Sequence, residues 1–184
     1  MTPFTLPLLN PGPLYNAGDY WIATLAYTIK IYFDFTGYSD IAIGVSALLG
    51  IDILENFDRP YWSSNISEFW RRWHMSLSSW IRDYAFIPLG GSRHGTARTL
   101  INLAGVMALA GLWHGASWHF VILGLWHGVG LAIHRTWNVL ALMRIATLPA
   151  TAITFTFTFV AVGWILFASP TLGAALSAMR GLIP

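Results

Sequence analysis

Residues 100–115 read Leu100-Ile101-Asn102-Leu103-Ala104-Gly105-Val106-Met107-Ala108-Leu109-Ala110-Gly111-Leu112-Trp113-His114-Gly115. The run 100–113 carries no charge and closes on a histidine bracketed by Gly111 and Gly115. Residues 118–133 are nearly as apolar and carry His119 and His127. An ionisable side chain at membrane depth is costly and reads first as a functional site. His114 therefore has two readings. It is either a general base, a neutral imidazole in a dry cavity taking a proton from an attacking hydroxyl, or a buried histidine bonded to a backbone carbonyl.

The composition points the same way. Of 184 residues, 55% are hydrophobic and only 10% are charged, with mean hydropathy +0.56. A soluble domain carries about 25% charged residues, so this chain has too little polar surface to cover a globule. Ten tryptophans suit interfacial belts. The expectation is an all-α, polytopic membrane protein with transmembrane and re-entrant or interfacial helices. The basic residues do not cluster with stacking aromatics in a hydrophilic stretch, so no nucleic-acid partner is expected. There is no cysteine, hence no disulfide framework, thiol nucleophile or cysteine metal site.

Outward from the opening stretch, residues 150–167 form the cleanest predicted span. Thr154, Thr156 and Thr158 alternate there with Phe155, Phe157 and Phe159. That alternation imitates a strand, but a lone strand in lipid leaves its backbone unpaired, so a helix is predicted. Residues 172–183 follow Pro170 as a short amphipathic segment. Residues 1–18, broken by Pro3, Pro7, Pro11, Gly12, Pro13 and Gly18, read as an irregular extramembrane lead-in without a signal-peptide pattern. Residues 20–35 and 40–53 read as two separate apolar helices.

The stretch 54–98 differs. It holds six of the nine arginines, Arg59, Arg71, Arg72, Arg82, Arg93 and Arg98, and the positive-inside bias puts it on the cytoplasmic side. Asn65 followed by Glu68 is a capping-box pattern. On a helix over 66–81, Phe69, Trp70, Trp73, Leu77 and Trp80 share one arc, with Glu68, Arg71, Arg72 and Ser79 opposite. That is an interfacial or re-entrant helix. His74 sits at the border of the two arcs, where it either faces a cavity or is a plain interfacial histidine. Pro88-Leu89-Gly90-Gly91 ends the element in a tight turn.

The other candidates have ordinary readings beside functional ones. His127 and His134 share a helix face and suit a ligand, or His127 before Gly128 simply permits close packing. His119 fits an interfacial belt. Asp34 and Asp40 read as caps or ion-pair partners before channel-lining acids. Arg71 and Arg72 suit a phosphate-bearing donor or lipid headgroups. Neither HxxxH nor HExxH occurs, so no metal site is expected, and no Gly-x-Ser-x-Gly elbow supports a serine triad.

Five segments together resemble the membrane-bound O-acyltransferases. They are Tyr32-Phe33-Asp34-Phe35-Thr36-Gly37-Tyr38-Ser39-Asp40-Ile41-Ala42-Ile43-Gly44, then Glu55-Asn56-Phe57-Asp58-Arg59-Pro60-Tyr61, then Glu68-Phe69-Trp70-Arg71-Arg72-Trp73-His74-Met75-Ser76-Leu77-Ser78, then Arg82-Asp83-Tyr84 with Ile87-Pro88-Leu89-Gly90-Gly91, and finally Gly111-Leu112-Trp113-His114-Gly115-Ala116. The nearest branch is the bacterial one that includes alginate O-acetyltransferase and the D-alanyl transfer protein of teichoic acid. The resemblance implies a catalytic His114, with His74 as the second site residue, at the core of a tunnel through the bilayer. It implies transfer of an acyl group, acetyl first, from a cytoplasmic thioester to a hydroxyl of an exported cell-envelope polysaccharide or a relay protein. Acetyl-CoA or an acyl-carrier thioester would be the donor, with no tightly bound cofactor. A periplasmic or extracellular acetyltransferase partner and a multi-pass place in the bacterial inner membrane, in contact with its lipid, follow from the same resemblance. Family members have several spans before the Asp34 motif, so residues 19–184 are expected to be the C-terminal part of such a domain. The contrasting class is a non-catalytic transport or scaffolding subunit whose histidines gate a passage by protonation.

Overall fold

The computed structural model describes residues 3–139 and 149–184; the first two residues of the predicted lead-in 1–18, and residues 140–148, lie outside the described residues. The described residues are helical, with no strand among them and a single bridge between Phe57 and Trp73. The all-α expectation holds. Among the described residues eight α-helices run in the order α1 Leu6–Leu9, α2 Ala17–Leu48, α3 Ile66–Arg72, α4 Met75–Ile81, α5 Gly95–Trp113, α6 Trp118–Val139, α7 Pro149–Ala168 and α8 Leu172–Gly181. By length and composition, α5 and α7 suffice to cross a membrane.

Helix α7 is central. Val160, Ala161, Gly163, Trp164, Ile165 and Leu166 are all buried, so its second half is enclosed on nearly every side, while Phe155 in its first half is exposed. Two of its threonines bond back along the helix. Thr154 and Thr156 donate to the carbonyls of Ala150 and Ala152, both at 2.9 Å, so neither needs water or a partner helix.

One end of α7 holds a cluster of Leu8, Tyr20, Ala23, Ile165 and Ala178, contributed by α1, α2, α7 and α8. The reading of residues 1–18 as irregular is corrected here: α1 is a helical turn, and Leu8 is fully buried. The Ser169 hydroxyl donates to the Leu8 carbonyl at 3.1 Å, which ties that turn to the end of α7.

The two predicted helices over 20–35 and 40–53 are one. Helix α2 runs unbroken through Gly37 and Ser39 and opens on a full capping box: Asn16 accepts from the Asp19 N–H at 3.2 Å, and Asp19 accepts from the Asn16 N–H at 2.9 Å. The Asp34–Ser39 stretch had suggested a break. In the helix, Asp34 pairs with Lys30 one turn earlier and Thr36 bonds back to Tyr32, so neither competes for chain termination. Ile22, Leu25, Ile29 and Phe33 form an exposed apolar stripe along α2. Such a stripe is at home against hydrocarbon.

The predicted helix over 66–81 is two. Helix α3 starts as expected, with the Asn65 side chain accepting from the Glu68 N–H at 2.8 Å. Its Glu68 carboxylate turns to the N–H and hydroxyl of Ser64 rather than to Asn65. The helix then stops at Arg72. Trp73 is extended (φ −107°, ψ 126°) and His74 is left-handed (φ 45°, ψ 56°). The cause is a strap from the preceding loop. The Asp58 N–H donates to the Arg72 carbonyl and the Met75 N–H to the Asn56 carbonyl, both at 3.0 Å. Periodicity within 66–81 carries no trace of that partner.

Candidate functional site

Helices α2, α3, α5, α6 and α7 converge on one cavity of about 410 Å³. Its walls include Phe35 of α2, Trp70 and Trp73 from α3 and its end, Gly111 of α5, Leu123 and Gly124 of α6, and Trp164 and Phe167 of α7. Three histidines line it: His74, His114 and His127. The lining is otherwise almost wholly apolar. Asp34 reaches it already paired with Lys30, an exposed pair of little energetic weight.

His74 is held by its backbone. A non-glycine residue in the left-handed region costs about 1–2 kcal/mol, and such strain gathers where surroundings over-determine a side chain. The surroundings here are Asn56, whose side-chain oxygen accepts from the Ser76 N–H at 3.2 Å and from its hydroxyl at 2.6 Å, and Phe35, whose ring meets the imidazole edge-to-face at 4.7 Å. Burial, with His114 nearby as the smaller cause, holds the His74 imidazole at about 4, below the usual histidine range. It is neutral at physiological pH.

His114 caps the C-terminus of α5, with its N–H on the Gly111 carbonyl at 3.0 Å. Its ring stands exposed at the cavity mouth, against Phe167 at 5.1 Å. The glycine before it serves packing. A Cβ on Gly111 would lie 2.0 Å from the Phe120 carbonyl, and one on Gly124 would lie 2.0 Å from the Met107 carbonyl. Helices α5 and α6 therefore touch backbone to backbone, the close approach that small residues allow in membranes. That contact carries His114 and His127 to the same cavity.

His127 is the residue that sequence reasoning undervalued. The sequence leaves it either on a ligand-holding face with His134 or as a packing residue beside Gly128. In the fold it is 1% exposed and lines the cavity, stacked parallel to Phe69 at 6.2 Å with Trp70 edge-on at 5.1 Å. The available signal was weak: a histidine within an apolar run, on the helix that follows His114. His134 does not line this cavity. His119 is buried rather than interfacial, its Nδ1 2.8 Å from the Ser117 hydroxyl. Among the described residues no group of three or more histidines or carboxylates is placed to hold a metal ion.

A second cavity of about 420 Å³ adjoins the first, with Trp70 and Met107 lining both. Its lining is largely apolar too but includes Arg71, Arg82, Ser67, Ser78 and Ser79. Arg82 is already paired with Asp83 and Arg72 with Glu68, both at 2.8 Å.

Comparison with known proteins gives a consistent result. Residues 12–171 match the membrane-bound O-acyltransferase family. The chain is 50% identical over 160 residues to a probable alginate O-acetylase AlgI of Azotobacter vinelandii, covering 87% of this chain and 32% of that protein. It is 40% identical over 164 residues to a peptidoglycan O-acetyltransferase of Helicobacter pylori, covering 89% of this chain and 31% of the relative. A teichoic acid D-alanyltransferase of Streptococcus thermophilus is 39% identical over 143 residues, covering 72% of this chain and 34% of the relative. The chain spans about a third of the length of these curated relatives.

Proposed function

This chain belongs to the membrane-bound O-acyltransferase family, and on that premise we propose that the protein moves an acyl group, acetyl first, from a cytoplasmic thioester to a hydroxyl of an exported envelope polysaccharide or a relay protein. The observation that carries the reading is the meeting of His74 and His114. They are remote in sequence and on separate elements, yet they line one apolar cavity. Relatives named for alginate, peptidoglycan and teichoic acid support an envelope acceptor without choosing among the three. The family and the two long apolar helices support a membrane protein; its multi-pass place in the inner membrane is part of this proposal.

The chemistry follows from the setting. The acceptor hydroxyl enters at His114, which takes its proton as the oxygen attacks the acyl carbonyl. The carbon–sulfur bond then breaks, and the thiolate leaves with a proton returned from the imidazolium. His74, neutral and fixed in a strained backbone, orients the acceptor. The aromatic walls exclude water, which would otherwise intercept the acyl group. Acetyl-CoA and an acyl-carrier thioester both carry phosphate, and Arg71 in the cavity next door, where Arg82 is already paired with Asp83, suits that end of either donor.

The test introduces His114→Ala and His74→Asn into the native gene and measures ester-linked acyl groups on the envelope polymer, with protein level followed by immunoblot. Loss of transfer at unchanged level is expected for both. Full transfer in both variants overturns the reading in favour of a non-catalytic transport or scaffolding subunit.

A further inference from the structure

The reaction above leaves one imidazole of the cavity without a task. Neither ring nitrogen of His127 has a hydrogen-bond partner among the described residues, although the side chain is 1% exposed. Leaving a buried polar group unpaired costs roughly 1–3 kcal/mol, and an apolar side chain of similar size would avoid that cost. The surroundings offer no relief: Phe69 stacks on one face, Phe159 meets the ring at 5.9 Å, and Trp164 lies at 6.1 Å. Trp70, edge-on to His127, carries a second buried N–H without a described partner. Unpaired donors thus gather on the same cavity that holds His74 and His114.

A neutral imidazole presents one N–H donor and one acceptor nitrogen. Attack of a hydroxyl on a thioester moves negative charge onto the acyl oxygen, and the reading so far supplies nothing to receive it. We infer that His127 is a further catalytic residue: its N–H, deep in the cavity, donates to the acyl carbonyl oxygen and holds the oxyanion of the tetrahedral intermediate. The step balances. The hydroxyl oxygen bonds to the acyl carbon, its proton passes to His114, the carbonyl π pair moves onto the oxygen facing His127, and that pair returns as the carbon–sulfur bond breaks. His127 keeps its proton throughout. In a water-poor pocket a fixed donor aimed at developing charge acts with little reorganisation.

This inference rests on the acyl-transfer reading, and the test separates the two. His127→Phe, His127→Met and His127→Gln are placed in the native gene beside His114→Ala. The readouts are the initial rate of polymer ester formation after induction and the protein level. Phe and Met keep bulk without a donor; Gln restores an N–H. The expected result is a loss on the order of 10²-fold for the apolar variants and a loss under about tenfold for Gln, all at parental protein level. Where Phe does not accumulate, Met supplies the comparison. Apolar variants with parental rates, or a Gln variant as impaired as they are, overturn the role of His127 while His114→Ala remains inactive. Full transfer by His114→Ala overturns the underlying reaction instead.

Discussion

Gly124→Ala sets two physical effects against each other. In an isolated helix the change is favourable by about 1 kcal/mol, because alanine has the better helix propensity. In this fold the new Cβ would stand 2.0 Å from the Met107 carbonyl oxygen and 2.8 Å from the Ala108 Cα. The first distance is about 1.4 Å short of ordinary contact. Both obstacles are backbone, so no rotamer change relieves them, and α5 must move away from α6. Overpacking typically costs about 1–3 kcal/mol, and a backbone-on-backbone clash belongs at the upper end. The net is a loss of roughly 2 kcal/mol, or about 4–8 °C in the unfolding midpoint at this size. The assay is tryptophan fluorescence during heating of the purified protein in detergent. Gly105→Ala in α5 is the control: its Cβ meets nothing within 4 Å, so it should hold or raise the midpoint. Transfer should fall as well, because a shift near 1 Å between His114 and His127 is enough to cost about 10²-fold. A Gly124→Ala midpoint at or above the parent's would refute the backbone contact between these helices.

Three further outcomes follow from the strap and from α3. His74→Ala and His74→Asn both remove the imidazole and should both lose transfer, but asparagine tolerates the left-handed backbone; the alanine variant should melt lower, measured by the same heating assay. Asn56→Ala removes both acceptor contacts to Ser76 and should cost about 1–3 kcal/mol at roughly 0.5–1.5 kcal/mol per hydrogen bond, with transfer reduced because His74 loses its anchor. The Ser64 hydroxyl and N–H, with Arg72 adding less, hold the Glu68 carboxyl below its usual range. Its contribution is therefore present above the ordinary carboxylate pKa and is lost as pH falls through the lowered one. Glu68→Gln should lower the melting midpoint at neutral pH and converge with the parent in acid; a pH-independent gap between the two would count against this assignment.

Much of the molecule was legible from side-chain chemistry alone. The scarcity of charge and the apolar runs of α5, α6 and α7 specify helices in a membrane, because only a helix satisfies its own backbone there. The His74 and His114 motifs were visible as an imidazole after an amphipathic arc and an imidazole ending an uncharged run. Local pattern failed where the deciding partner came from elsewhere. The single α2 helix looked like two because Asp34–Ser39 carries cap-forming residues, and whether such residues cap or bond back along the helix depends on what the chain does next. The break at Trp73 and His74 was hidden because its cause is a strap from residues 56–58.

Hydrophobic composition and residue type thus determined that the chain is helical, membrane-bound and carries histidines within or at the end of its apolar runs. Only the tertiary structure decided which of its six histidines share a cavity. Helical period places a side chain on a face of its own helix, but which face meets a cavity depends on how neighbouring helices cross. Here that crossing is set by the glycine-backed contact of α5 with α6 and by aromatic packing around Trp73 and Trp164. Those contacts bring His127 to the cavity beside His74 and His114 and leave His134, two turns further along α6, outside it.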